Sequence, residues 1–406
     1  MPVSINGSNT PTAGGAVYGD GTAYATTAAG TAGQVLTSAG ASAPTWSTLA
    51  VPGATARYSV VAVDTTGYST VAFNPTDIAS GKFTTQVYPT DNAGTNLTYA
   101  APFWSTYYSK WFTILNGGIY ASSDGLSWNS ILSDLNTPTG GFGALTPAYT
   151  DSGQTLLAVD DSNGRFALAR LASGSTTLYV YFSDTGASSS LATAWTQVTI
   201  NTSNTFYAWH LRYCKLSTTS GFILVYSAGS GSTGTQYIAT CPAGSTTFTT
   251  AYSYSSNPFV QIKAAIAYEE NGNVGVFLGN PGRFSYNTSG VISSGWNNVA
   301  APGDIDTSYI FPAVANGYYV VVKTNKIYYS ANGSTWTTIT LASNVKGVFY
   351  TGSNFIAYPT TTPYTADTFI SSNNTPVSFS VYNTTTAPQR NLRIGGFSFG
   401  QRMTAT

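Results

Sequence analysis

One ten-residue stretch constrains this chain more than any other, because it occurs twice. Residues 119–128 read Ile-Tyr-Ala-Ser-Ser-Asp-Gly-Leu-Ser-Trp, and residues 327–336 read Ile-Tyr-Tyr-Ser-Ala-Asn-Gly-Ser-Thr-Trp. Each is an apolar run closing on an aromatic, an Asp-Gly or Asn-Gly turn signal, and a return that opens on Trp, which is the signature of a β-hairpin. A hairpin alone cannot bury its apolar face. Repetition therefore predicts an array in which each unit is covered by its neighbours.

Weaker copies fill in the array. The aromatic anchors fall at Phe73, Tyr120, Tyr181, Tyr237, Phe284, Tyr328 and Phe369, spaced 41–61 residues apart. Upstream of each lies another apolar run of strand length, at 58–63, 111–115, 166–171, 222–226, 274–278, 318–322 and 355–358. These read as second strands, and the runs 205–216, 260–268 and 347–351 read as innermost first strands. Four short strands per period of about 40–60 residues is the pattern of a propeller blade. The expectation is an all-β chain in which residues 50–395 form one seven-bladed β-propeller, with residues 396–406 as a C-terminal tail.

Charge narrows the function classes. Fifteen basic residues balance fifteen acidic ones, and charged residues make up 7% of the chain against about 25% in ordinary globular proteins. No electrostatic footprint for nucleic acid or an anionic membrane is present. Neither a signal-peptide start nor an apolar run near the ~18 residues of a span is visible, so the expectation is cytoplasmic synthesis without membrane insertion. Cys214 and Cys241 fit no metal-ligand spacing and read as buried free thiols. With a single histidine, His210, and only Glu269 and Glu270 as glutamates, material for acid, base or metal chemistry is scarce. No cofactor and no metal is implied.

Residues 1–49 differ from the rest: Gly, Ala, Thr and Ser dominate, and they cannot bury a core by themselves. Within them run Tyr18-Gly19-Asp20-Gly21-Thr22-Ala23, then Gly30 through the Gln34-Val35-Leu36-Thr37-Ser38 stretch, then Pro44-Thr45-Trp46. Locally these make a short strand from Gln34, a Gly-bearing turn and a short return strand. The segment resembles one near the start of many tailed-bacteriophage tail-fibre and tail-associated proteins, with one extra residue before the proline, and it covers about a tenth of the chain. The resemblance implies that residues 1–49 are a small β attachment segment. It further implies that other virion tail proteins are partners, that the protein forms a homo-oligomer, a trimer, and that it resides in the virion tail after synthesis in the host cytoplasm.

The repeated turn resembles a shortened Asp-box of sialidase-like propellers, which in that family joins the third and fourth strands of a blade. Its residues here are Asp124, Gly125 and Trp128 in one copy and Asn332, Gly333 and Trp336 in the other. The carboxylate or carboxamide can accept backbone N–H groups of its own turn, the glycine can take positive φ, and the Trp can pack into the sheet. All six are expected to be scaffold. Because antiparallel strands alternate, the one-to-two and three-to-four turns share one face of the array and the remaining connections share the other. On that second face the long polar, aromatic-bearing stretches 87–103 and 359–367 offer Tyr88, Asp91, Asn92, Tyr99, Tyr364 and Asp367 as receptor-binding candidates.

A sialidase-like resemblance also implies an enzyme, with an arginine cluster, a Tyr–Glu nucleophile and an Asp acid/base. None of the arginines stands in the Phe/Tyr-Arg-Ile-Pro context that opens such enzymes; the nearest, Arg393, lies near the other end of the chain. Glu269-Glu270 precede Asn271-Gly272, a turn signal that puts both carboxylates toward solvent. The pairs Asp160/Asp161 and Asp304/Asp306 stay open as carboxylate pairs, and His210, in an alternating strand, reads as structural. The expected function is a non-enzymatic phage tail-fibre protein that binds a host-surface glycan or protein. The alternatives are a purely structural tail or virion-decoration component and a glycan-cleaving sialidase-like enzyme.

Overall fold

Every regular element among the described residues is a β-strand, as the supply of Val, Ile, Thr, Tyr and Phe favours. The computed structural model describes all residues except 1–12, 20, 23, 32–33, 41, 49–57, 65–66, 74–83, 88–102, 116–117, 123–128, 133–156, 172–176, 185–194, 202–204, 231–232, 257–263, 270–271, 279–281, 303–311, 351–353, 360–367, 383–391 and 398–406. The chain falls into two units, 1–55 with 404–406, and 56–403.

The first unit holds two hairpins. Strands β1 (Val17–Gly19) and β2 (Tyr24–Thr26) pair, as do β3 (Gln34–Ala39) and β4 (Ser42–Thr48). Gly40, at φ +70°, supplies the turn between β3 and β4. Trp46 joins the two hairpins: its indole Nε1 donates to Thr27 Oγ1 at 3.0 Å and to the Ala28 carbonyl at 2.7 Å. Its ring lies on Gly30, where a Cβ would sit 2.6 Å from Cδ2. Thr27 Oγ1 also accepts the Ala16 N–H and donates to the Ala28 carbonyl. Gly30 and Trp46, separated in sequence, are thus one packing element.

The second unit is a series of four-stranded antiparallel sheets. Sheet I begins with β5 (Tyr58–Asp64), β6 (Gly67–Phe73) and β7 (Thr84–Val87). Sheet II contains β8 (Phe103–Ser105), β9 (Lys110–Leu115), β10 (Gly118–Ser122) and β11 (Asn129–Leu132). Sheet III contains β12 (Leu157–Asp160), β13 (Arg165–Leu171), β14 (Thr177–Ser183) and β15 (Thr196–Asn201). Sheet IV has the longest strands, β16 (Thr205–Lys215), β17 (Ser220–Ser230), β18 (Thr233–Pro242) and β19 (Thr249–Ser256). Sheet V contains β20 (Ala264–Tyr268), β21 (Val274–Leu278), β22 (Arg283–Asn287) and β23 (Trp296–Ala300). Sheet VI contains β24 (Ala313–Ala315), β25 (Tyr318–Lys323), β26 (Lys326–Ser330) and β27 (Thr337–Thr340). Sheet VII contains β28 (Val345–Tyr350), β29 (Phe355–Pro359), β30 (Thr368–Ser371) and β31 (Phe379–Tyr382). The last strand, β32 (Leu392–Phe397), returns to sheet I and pairs with β5, from Leu392 opposite Asp64 to Phe397 opposite Val60.

Strand order within sheets II to VII follows the chain, and each aromatic anchor lies on the third strand of its sheet. Sheet I departs from this: its first strand is β32, from the far end of the chain. That strand runs two residues beyond 395, into the segment expected to be tail, and its register shifts between Ile394 and Gly396, where the glycine pair accommodates a bulge.

The sheets stack face to face, and single strands show it. On β25, Tyr319 and Val321 pack with Phe277 and Phe284 of sheet V, while Val320 and Val322 pack with Val348 and Phe355 of sheet VII. On β17, Phe222 and Leu224 join the core shared with sheets II and III, whereas Ile223 and Val225 join Ile266 and Val276 of sheet V. The central runs of these second strands, 222–226 and 319–322, are therefore buried on both faces and apolar throughout, each large side chain contributing about 1.5–3 kcal/mol. Fourth strands such as β27 are instead mostly exposed. First strands of consecutive sheets are neighbours, β8 with β12, β12 with β16, β16 with β20, β20 with β24 and β24 with β28.

Candidate functional site

The repeated turn is described in its second copy. Ser330 Oγ accepts the Gly333 N–H at 2.8 Å, and Asn332 Oδ1 accepts the N–H groups of Ser334 at 3.0 Å and Thr335 at 2.8 Å. Gly333 has φ +76° and lies against the Tyr286 ring of sheet V. Trp336 packs edge-on to Phe284, centroids 5.1 Å apart. The carboxamide oxygen is thus engaged by its own turn, and the motif seats one sheet on its neighbour. Sheets V and VII repeat the theme: Asn287 Oδ1 accepts the Ser289 N–H and Asn373 Oδ1 the Thr375 N–H. Asp124, Gly125 and Trp128 lie outside the described residues.

The turns between first and second strands extend this into a chain of latches from sheet to sheet. Asp160, fully buried, accepts the Ser162 N–H of its own turn at 2.8 Å and the Gly244 N–H of the three-to-four turn of sheet IV at 3.1 Å. Arg165 pairs with Asp184 and donates to the carbonyls of Gly244 and Ser245, each at 2.9 Å. Thr218 and Thr219 of sheet IV donate to the Gly290 carbonyl of sheet V, and Asn316 of sheet VI donates to the Asn374 carbonyl of sheet VII. One-to-two and three-to-four turns therefore share a face, as strand alternation requires.

Asp160 and Asp161 are consumed by this network. Asp161 Oδ1 accepts the Ser105 hydroxyl at 2.6 Å, tying sheet II to sheet III, and burial raises its carboxyl above the usual carboxylate range. Asp304 and Asp306 lie outside the described residues. Glu269 does not simply face solvent as its sequence context suggests: its Oε2 accepts the Gly317 N–H of sheet VI at 3.0 Å. The turn signal is real, but the long side chain bridges to the next sheet. Glu270 is outside the described residues. His210 is buried, and its Nδ1 accepts the Ile266 N–H at 3.3 Å, linking first strands of sheets IV and V. Burial pushes the Cys214 thiol up to about 12 and the Cys241 thiol up to about 11, which leaves neither a nucleophile. Among the described residues no cluster of three His, Cys, Asp or Glu could hold a metal ion, and no helix is long and apolar enough to cross a membrane.

Tyr88, Asp91, Asn92, Tyr99, Tyr364 and Asp367 lie outside the described residues; their segments connect β7 to β8 and β29 to β30. Near the corresponding ends of sheets IV and V the structure places a polar row absent from the sequence reasoning. Ser227 is directly opposite Gln236, and Gln236 directly opposite Tyr254, so all three point to one side of sheet IV. Tyr254 OH accepts Arg283 Nη2 of sheet V at 2.7 Å, and the guanidinium carbon lies 4.4 Å from the Tyr254 ring centroid. Only cross-strand register assembles these four, so no local motif could have found them.

No protein-family model and no curated protein matches the chain. Among solved structures it is similar to a protein from Lactobacillus plantarum, at 13% identity over 84% of this chain and 97% of that one, with a TM-score of 0.50. It is also similar to prolyl oligopeptidase B from Galerina marginata, at 9% identity over 84% of this chain and 51% of that one, with a TM-score of 0.47. A third is the GH93 α-L-arabinofuranosidase of Fusarium graminearum, at 12% identity over 66% of this chain and 89% of that one, with a TM-score of 0.38. At these identities only the likeness to the Lactobacillus plantarum protein bears on the chain, and on its fold alone, which is β-propeller-like.

Proposed function

We propose that the chain is a non-enzymatic tail protein of a tailed bacteriophage. In this reading residues 1–49 attach it to other tail proteins as a trimer, and the sheets close into a seven-bladed propeller. The face carrying the two-to-three and four-to-one connections then engages a glycan or protein of the host surface. The observation that carries the reading is the Gly30–Trp46 contact: two positions of the tail-fibre-like segment, far apart in sequence, form one packing unit. Pairing of β32 with β5 supports closure, since it builds one sheet from both ends of the array. Consumption of Asp160, Asp161 and Glu269 in latches supports a role without catalysis.

The test is adsorption of the labelled full chain to susceptible and resistant host cells, together with immunogold labelling of phage particles. Saturable binding to susceptible cells alone, with gold at the tail, is the expected result. Absence of cell binding combined with a loop face covered in the assembled particle would leave a structural component instead. Release of sugar from host polysaccharide would overturn the non-enzymatic reading. A Gly30→Val chain is expected to bind cells normally and to fail to enter particles.

A further inference from the structure

We propose that the row Ser227, Gln236, Tyr254 and Arg283, between sheets IV and V, is a subsite for an anionic substituent, carboxylate or phosphate, on a host saccharide. This rests on the receptor-binding reading and names the chemistry that the receptor would carry. Gln236 is 1% exposed, and neither its amide oxygen nor its amide nitrogen has a partner among the described residues. Ser227, directly opposite, is 2% exposed with an unpartnered hydroxyl. A buried amide left unpaired is destabilising, and a Leu or Met of similar size would avoid that cost. Two such groups side by side mark a place built for something other than packing.

Arg283 supplies the second, independent observation. It is fixed by the hydrogen bond to Tyr254 and by the ring beneath it, and among the described residues no carboxylate pairs with it, the ion pair there being Arg165–Asp184. In a chain with 7% charged residues, a guanidinium held in place with no counter-ion among the described residues is a pre-organised anion receptor. Its planar fork matches a carboxylate or phosphate in two parallel bonds. Placement agrees with this role. Arg283 opens β22, Tyr254 is near the end of β19, and Ser227 and Gln236 flank the connection between β17 and β18, so all four lie toward the face opposite the latches.

Arg283 and Tyr254 are half-buried and meet the anion first. The Gln236 amide and the Ser227 hydroxyl then take the adjoining sugar hydroxyls, which donate and accept at once as these two groups do. Arg283 keeps its Nη2 bond to Tyr254 and offers its remaining N–H groups to the anion. A saccharide fits better than an acidic peptide, because the groups behind the guanidinium are neutral donor–acceptors rather than an apolar pocket or a strand edge.

Calorimetric titration of the full chain with sialyllactose, a hyaluronan oligosaccharide, a phosphomannan oligosaccharide and lactose tests the proposal. One anionic class is expected to bind at least about tenfold more tightly than lactose, more weakly as salt rises, and the carboxylate and phosphate arms identify which. Arg283→Ala should reduce that affinity by about tenfold to a hundredfold, and Arg283→Lys nearly as much, since the point charge lacks the fork. Gln236→Met should weaken binding while unfolding at an equal or higher urea concentration than the unaltered chain, which a purely structural glutamine would not do. Equal binding of lactose, no binding of any anionic probe, or an unchanged affinity in Arg283→Ala overturns the subsite. If Arg283→Ala still adsorbs fully to host cells, the subsite falls and receptor binding stands. If the unaltered chain does not adsorb, receptor binding itself falls.

Discussion

Gly333 and Gly317 offer a matched pair in which one physical variable changes. Their φ values are +76° and +75°, so an alanine at either pays the same left-handed backbone cost, about 1–2 kcal/mol. Their surroundings differ. A Cβ at Gly317 meets nothing within 4 Å, whereas at Gly333 it would lie 2.6, 2.7 and 2.8 Å from three atoms of the Tyr286 ring, against an optimum of roughly 3.5–4.0 Å. Tyr286 cannot simply swing aside, because its ring stacks on Phe284, centroids 5.5 Å apart, and meets Tyr319 edge-on at 5.8 Å. Relieving such overpacking costs about 1–3 kcal/mol. Gly317→Ala should therefore destabilise by about 1–2 kcal/mol and Gly333→Ala by about 2–5 kcal/mol. Urea unfolding followed by tryptophan fluorescence measures both, with the midpoint moving and the slope unchanged. Combining Gly333→Ala with Tyr286→Ala should return the steric part as a coupling of about 1–3 kcal/mol. Losses equal within about 0.5 kcal/mol at the two glycines would refute the claim that this turn seats sheet VI on sheet V.

Three further outcomes follow from burial and pairing. Because burial raises the Asp161 carboxyl, the folded protein holds that proton more tightly than the unfolded chain; its contribution to stability is full at acid pH, below the ordinary Asp value of about 3.9, and is lost as pH rises through the raised value. Asp161→Asn, which still offers an acceptor to Ser105, should flatten that part of the stability profile, and an unchanged slope in urea melts across the acid range would refute it. A disulfide-exchange reagent should leave Cys214 and Cys241 unmodified in the native protein and titrate both thiols in guanidinium, since both are buried with raised values; rapid native reaction would contradict their burial. A chain ending at residue 391 loses the strand paired with β5 and should fall, relative to the full chain, by more than the ~0.5–3 kcal/mol of an ordinary point change. Equal melting temperatures would remove the argument for closure.

Much of the strand plan was legible because it is local. Tyr328, Asn332, Gly333 and Trp336 sit within one hairpin, so the apolar run, the turn signal and the return predict one another; the same holds for Phe284 and Phe369 on their third strands. Glu269 shows the limit of local reading. Its turn was visible, but the acceptor role toward Gly317 depends on a neighbouring sheet. Gln236 shows it again, since a polar residue on an alternating strand reads as solvent-facing, and only the folded chain leaves it 1% exposed.

What the chain's own order of residues determined is the all-β character, the hairpin period and the second and third strand of each sheet, because these depend on steric preference and turn chemistry within a few residues. What only the folded molecule decided is which distant groups meet: β32 with β5, Asp160 with Gly244, Trp46 with Gly30, and Tyr254 with Gln236 on one side and Arg283 on the other. The reason is geometric. Alternation says that a side chain points to one face of its sheet, but not which other sheet lies there, and it is that neighbour that turns a polar residue into a latch, a buried orphan or a site.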